Sequence, residues 1–236
     1  MHHPRPLLLQ AAALGLLPIL LASCGNGSIS SARDFNELIP RLMGAVNSNE
    51  SPERAAANLF NVTSPDERRD AIAYLQTKKY GHQPPYMKAY TLLATDPHPQ
   101  VRGQALRALG TSGDPAIVPI LIKGLNDPEA SVRADAAAAL DGTWAPSAET
   151  ALRTHLHDDA DDQVKINCAH ALRHFGTPTA IRALIDALDD RNAAVAYWSH
   201  ESLIALTGQK MPTDTKIWLT WFQSRYGPAA GATGAG

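Results

Sequence analysis

The side chains of this sequence best suited to chemistry are histidines. His170 and His174 stand four residues apart, the spacing that places two metal ligands on one face of a helix. His155 and His157 lie just upstream, followed by Asp158 and Asp159. Nitrogen and carboxylate ligands of this kind would suit zinc. The glutamate that turns such a pair into a hydrolytic centre is missing, because Ala171 follows His170 and no H-E-x-x-H forms. His200-Glu201 is a single His-Glu pair. The chain also lacks a Gly-rich phosphate loop and a G-x-S-x-G turn. The expectation is a protein that is not an enzyme, holds no metal or cofactor, and carries its histidines facing solvent.

The elements that position these residues follow from composition and period. Lys and Arg total 21 against 23 Asp and Glu, so no strong field favours nucleic acid. Aromatics are scarce at 6%, while alanine and leucine are abundant, which favours helices. The segment Asp96-Pro97-His98-Pro99-Gln100-Val101-Arg102 recurs as Asp127-Pro128-Glu129-Ala130-Ser131-Val132-Arg133. It returns one residue longer from Asp158 to Val164-Lys165, then from Asp190 to Val195-Ala196, so the aspartates step by 31, 31 and 32. Four past each valine is a small residue (Ala105, Ala136, Cys168, Ser199) and eight past it a leucine (Leu109, Leu140, Leu172, Leu203). At about 100° per residue these share one helical face. Upstream of each later aspartate runs a second apolar stripe, Ile117/Leu121/Leu125, Ala148/Leu152/Leu156 and Ile181/Leu184/Leu188, opened by Pro115, Pro146 and Pro178. Each unit is a helix, a tight Asp-containing turn and a second helix. A unit this small cannot close its own core and must stack on its neighbours.

The D-x-x-x-x-V-R element, the V-x-x-x-A-x-x-A-L helix and the period near 31 resemble HEAT repeats of the short, phycobilisome-lyase-like type. The resemblance implies an all-α fold, a right-handed α-solenoid of stacked helical hairpins with an ARM-type superhelix. It also implies that turn aspartates and the basic residue after valine form ladders between repeats. The carry-over reaches Asp96 with Arg102, Asp127 with Arg133 and Asp158 with Lys165, and Ala196 should end the ladder. Ser64 to Leu75 reads as a capped helix with the same apolar face, and Pro85 to Ala94 as its successor. Leu206 to Gln209 followed by Ile217 to Phe222 resembles the closing element of bacterial HEAT-repeat lipoproteins, with Trp218, Trp221 and Phe222 spaced to cover the last repeat. Deoxyhypusine hydroxylase resembles this architecture but holds two irons on several His-Glu pairs, and one pair cannot do that. Phycobilin lyases share the repeat type, yet Cys168 falls on the core face. HEAT glycosylases use basic grooves that this chain lacks.

The N-terminus is a different object. Arg5 and two histidines precede an uncharged run from Leu7 through Ala22, shorter than the roughly 20 residues of a membrane span and laid out like a secretory signal. It ends in Leu21-Ala22-Ser23-Cys24-Gly25, similar to the lipobox of bacterial lipoproteins. That resemblance implies a thioether to diacylglycerol on Cys24, a palmitate-bearing membrane anchor and residence in the cell envelope. With Cys24 acylated, Cys168 has no disulfide partner. The expected organisation is a signal peptide at 1–23, lipidated cysteine and tether at 24–34, and short helices at 35–63. HEAT-like repeats follow at 64–210, then a capping helix at 211–226 and a disordered tail at 227–236.

In helical solenoids the second helices line the concave surface. Positions three, six and ten past the valine are expected to point away from the core. They read Gln104, Arg107 and Thr111; Asp135, Ala138 and Gly142; Asn167, His170 and His174; and Trp198, Glu201 and Ala205, with Tyr197 at the edge. Exposed Trp, Tyr and Arg are enriched at binding hot spots. Arg107, Asp135, His170, His174, Tyr197, Trp198 and Glu201 are therefore candidates for holding a peptide or protein surface. Tyr197 and Trp198 could equally cover the junction to the C-terminal cap. The function expected is a membrane-anchored interaction or scaffolding module, or alternatively an accessory or substrate-binding subunit of an envelope enzyme or secretion complex.

Overall fold

A computed structural model describes residues 52–227, all within the unit Glu50–Gly236. Cys24, the signal segment, the tether, residues 35–51 of the expected short helices and most of the tail lie outside the described residues. Among those described there is no strand, and no helix is long and apolar enough to cross a membrane.

Eleven α-helices follow one another: α1 (Pro52–Asn58), α2 (Pro65–Gln76), α3 (Pro84–Leu93), α4 (Pro99–Gly110), α5 (Val118–Gly124), α6 (Ala130–Gly142), α7 (Glu149–Asp158), α8 (Asp162–Ala171), α9 (Pro178–Asp186), α10 (Ala193–Thr207) and α11 (Thr215–Tyr226). Pairs α1/α2, α3/α4, α5/α6, α7/α8 and α9/α10 pack as hairpins. The second helices α2, α4, α6, α8 and α10 stack on one another in order, and this is the stack's most extensive packing. The array takes in α1 and so begins upstream of the expected boundary at 64. The chain is an all-α solenoid, as the repeats implied.

Helix starts follow the sequence closely. Ser64, Asp161, Thr177, Asn192 and Asp214 accept backbone N–H groups at helix N-termini. Pro115 and Pro146 open short 3-10 turns, and Pro178 opens α9. Gly208 ends α10 at φ 71°, the left-handed conformation that a residue with Cβ resists.

The core is the line of valines, small residues and leucines that the period defined. Val101, Ala105, Leu109, Leu140, Val164, Cys168, Leu172, Val195 and Leu203 are wholly buried. Burial pushes the Cys168 thiol far above its ordinary range, so it behaves as an apolar side chain. Small residues let α4 and α6 approach closely: a Cβ on Gly110 would lie 2.6 Å from Ala139 Cβ and 2.7 Å from its Cα. Side chains also tie each second helix to the one before it. Thr143 Oγ1 donates to Gly110 O (2.7 Å), Asn167 Nδ2 to Ala134 O (2.9 Å) and Ser202 Oγ to Ala169 O (2.8 Å).

The ladder runs along the turns with a register that differs in detail from the expected one. Each basic residue reaches forward to the aspartate of the next repeat: Arg68 to Asp96 (2.8 Å), Arg102 to Asp127 (2.7 Å), Arg133 to Asp159 (2.8 Å) and Lys165 to Asp190 (2.8 Å). Arg68 is a rung the repeat pattern did not reveal. In the third turn the rung is Asp159, which is buried, rather than Asp158, which is exposed and meets only His157. Each rung aspartate also accepts the N–H two residues on, from His98, Glu129, Asp161 and Asn192. Arg102 and Arg133 add bonds to carbonyls of their own turns, Asp96 O and Asp127 O. Ala196 supplies no base, and the ladder stops at Asp190.

The last hairpin is closed by α11, which packs against α9 as the first helix of a further unit would. Trp218 is fully buried, stands edge-on to His200 with ring centroids 6.0 Å apart, and donates its indole N–H to Pro212 O (3.0 Å). His200 Nε2 donates to Met211 O (2.7 Å). Trp221 and Phe222 are half-buried against the same core.

Candidate partner-binding surface

The stripe opposite the core on the second helices turns much of its polarity onto itself. Arg107 on α4 pairs with Asp135 on α6 and also donates to Gln104. Burial raises the Asp135 pKa and outweighs the opposing pull of Arg107. Gln104 is only 6% exposed, because this partnership folds it into the helix interface instead of pointing it outward. Asn167 is likewise used on the α6 backbone.

Further along, Asp141 near the C-terminus of α6 gathers three groups from the end of α8. Arg173 Nη2 donates to it at 3.0 Å, His174 Nε2 at 3.0 Å, and His170 Nδ1 faces it at 3.3 Å. Arg173 Nη1 lies 2.6 Å from His170 Nε2. Guanidinium can only donate, so His170 accepts there and presents Nδ1–H to Asp141. The histidines at i and i+4 thus turn onto one carboxylate. His155 is bonded to Asp159 at 3.0 Å, and His157 to Asp158. Among the described residues no three His, Cys, Asp or Glu side chains are placed to share a metal ion.

What this cluster leaves facing outward is aromatic. Trp144 lies parallel to His174 with ring centroids 6.2 Å apart and is 49% exposed. On the other side Trp198 meets His170 edge-on at 5.1 Å and Tyr197 at 5.4 Å. Tyr197 is 54% exposed and Trp198 36%. His200 is the α10 ring that meets Trp218 of the cap, whereas the ring contacts of Trp198 are with His170 and Tyr197. Glu201, one turn beyond Tyr197 and Trp198, is exposed and has no ion-pair partner among the described residues. The structure therefore brings His170, His174, Tyr197, Trp198 and Glu201 to one end of the stripe, while Arg107 and Asp135 form a separate pair nearer the N-terminal repeats. Asp141, Arg173 and Trp144 complete the cluster and were not on the expected stripe. Asp141 and Arg173 fall nine past their valines, and Trp144 follows the end of α6, beyond any helical period.

A second concavity of about 640 Å³ lies on the first-helix side, lined by Arg153, His157, Arg182, Asp186 and Phe222 among others. Its arginines face carboxylates of their own helices, Arg182 with Asp186 and Arg153 with Glu149.

Comparison with known proteins bears on the fold. None of the curated proteins matches the chain. A solved complex of CpcE and CpcF of phycocyanin lyase from Nostoc sp. PCC7120 is similar over 72% of this chain and 68% of that one, at 23% identity and a TM-score of 0.60. An engineered protein is similar over 73% of this chain and 85% of its own, at 17% identity and a TM-score of 0.52. The family model for HEAT repeats matches residues 53–141, 87–165 and 149–215, overlapping segments that together span most of the chain. The chain belongs to the HEAT-repeat family.

Proposed function

We propose that this chain is a membrane-tethered scaffold of the bacterial cell envelope that holds a protein or peptide on its second-helix face. The observation carrying the proposal is the pair Tyr197 and Trp198. Two large rings stay exposed, and Trp198 is joined through His170 to the Asp141 cluster. Rigid, half-exposed aromatics are the commonest anchors of protein interfaces. The repeat family supports the reading, since stacked repeats present extended binding surfaces. The tether rests on the sequence around Cys24, and the reading assigns no reaction to the chain.

The test of the surface is crosslinking in intact cells with the wild-type chain and with Trp198→Ala plus His170→Ala. Loss of specific capture by the folded double variant is the expected result, and undiminished capture would remove the surface from consideration. Capture of an enzyme's catalytic subunit would recast the scaffold as an accessory subunit. The tether has its own test. Cys24→Ser should move the protein from the membrane fraction to the soluble fraction and abolish labelling by a palmitate analogue, and a membrane-bound, labelled Cys24→Ser chain would refute the anchor.

A further inference from the structure

We infer that the corner formed by Tyr197, Trp198 and Glu201 recognises an arginine side chain of the partner. This rests on the proposed binding role of the same face and names the chemistry it selects. The two rings meet at 79° with centroids 5.4 Å apart, and both are open to solvent. Such a corner offers π faces to a planar cation. Glu201 stands three and four residues further along α10, so its side chain rises from the same face one turn away. A guanidinium lying on an indole face can direct its N–H fork at a carboxylate in that position, which an ammonium does less well.

Charge on the rest of the face supports the choice. Arg107 is neutralised by Asp135 and Arg173 by Asp141, so the cations already present are satisfied within the chain. Glu201 is the carboxylate left without an opposite charge among the described residues of this cluster. His170, which borders Trp198, accepts from Arg173 and faces Asp141 through Nδ1. An incoming cation therefore meets one uncompensated negative charge beside two partly exposed aromatic rings, whereas an acidic segment would meet repulsion.

The experiment uses the full-length chain in detergent, labelled with 5-fluorotryptophan, whose resonances are assigned by Trp→Phe variants. Three peptides, Gly-Arg-Gly-Arg-Gly, its lysine counterpart and its glutamate counterpart, are titrated, together with choline as a separate cation. The expected result is a saturable shift of the Trp198 resonance with the arginine peptide, weaker with lysine and absent with glutamate. Glu201→Gln should lower the arginine-peptide affinity about two- to fivefold with an unchanged melting temperature, because the side chain is exposed. The inference is overturned if the Trp198 resonance does not move, if Glu201→Gln binds as well as wild type, or if choline shifts it more than the arginine peptide does. Should crosslinked partners depend on Trp198 and His170 but not on Glu201, the surface stands as a binding site and the arginine preference falls alone.

Discussion

Arg133 on α6 reaches past its own turn and grips Asp159 of the next repeat at 2.8 Å, with both side chains largely withdrawn from water. The neighbouring Asp158, which the repeat step of 31 singles out, points to solvent. Asp159→Asn should therefore cost about 2–3 kcal/mol, since it strips the charge partner from a mostly buried guanidinium. Asp158→Asn should change stability by less than about 0.5 kcal/mol. Urea denaturation of the two variants checks the contrast, and equal effects would mean that the rung is misassigned.

The same rungs set the response to acid. Burial works to raise the Asp159 pKa, but Arg133, the Asp161 N–H and His155 outweigh it and hold the carboxyl at about 2. Asp127 and Asp190 are lowered in the same way, burial being overcome by Arg102 and Lys165 respectively. A carboxylate whose folded pKa lies below its unfolded value stabilises the fold above the unfolded pKa. That contribution is lost as pH falls toward the folded pKa. Melting temperature should thus drop steeply between about pH 4 and pH 2, with Asp159 alone contributing on the order of 2 kcal/mol. Asp159→Asn should flatten part of that drop.

Close approach of α4 and α6 makes Gly110 an informative position. In an open helix, alanine is favoured over glycine by about 1 kcal/mol. Here the added methyl would press on the Ala139 backbone, which has no flexible end to move aside. Gly110→Ala should consequently destabilise by about 1–3 kcal/mol. A gain in thermal stability on this substitution would show that the two helices are farther apart than described.

The aromatic residues near the C-terminal end divide into two kinds. Trp218→Ala should remove about 3–5 kcal/mol by emptying the space between α11 and the last hairpin. Tyr197→Ala should alter stability by less than about 1 kcal/mol. Calorimetry of the two variants separates a ring that closes the stack from a ring held ready for something else.

Much of this was legible in the sequence because the period is strict. The valine, small-residue and leucine positions gave the core face, and the prolines marked where helices begin. The rung at Asp159 was legible too, but only when counted from the right landmark. Rung aspartates lie six before the base or its replacement, as Asp96 does before Arg102, Asp127 before Arg133 and Asp190 before Ala196, and six before Lys165 is Asp159. Counting forward from the previous turn lands on Asp158 instead, because the extra residue lies upstream of the rung, between Arg133 and Asp159. Arg68 was hidden because the turn before it has Val62 at the aspartate position, and Arg68 donates to Asn61 O there. The Asp141 cluster escaped for a different reason. Its members pair across helices, and single-helix periodicity carries no information about which side chain a neighbour's arginine will choose.

The ends of the ladder have a consequence for how these molecules behave in a crowd. A stack whose last unit offers a base and whose first offers an aspartate would be a monomer for its own polymer, each copy's tail fitting the next copy's head without closure. Among the described repeats both halves of that joint are absent: Val62 stands where the turn before Arg68 would need its aspartate, and Ala196 where α10 would need its base. Among the described residues the ladder of ion pairs therefore runs from Arg68 to Asp190, and its length is written into the two residues at which it stops.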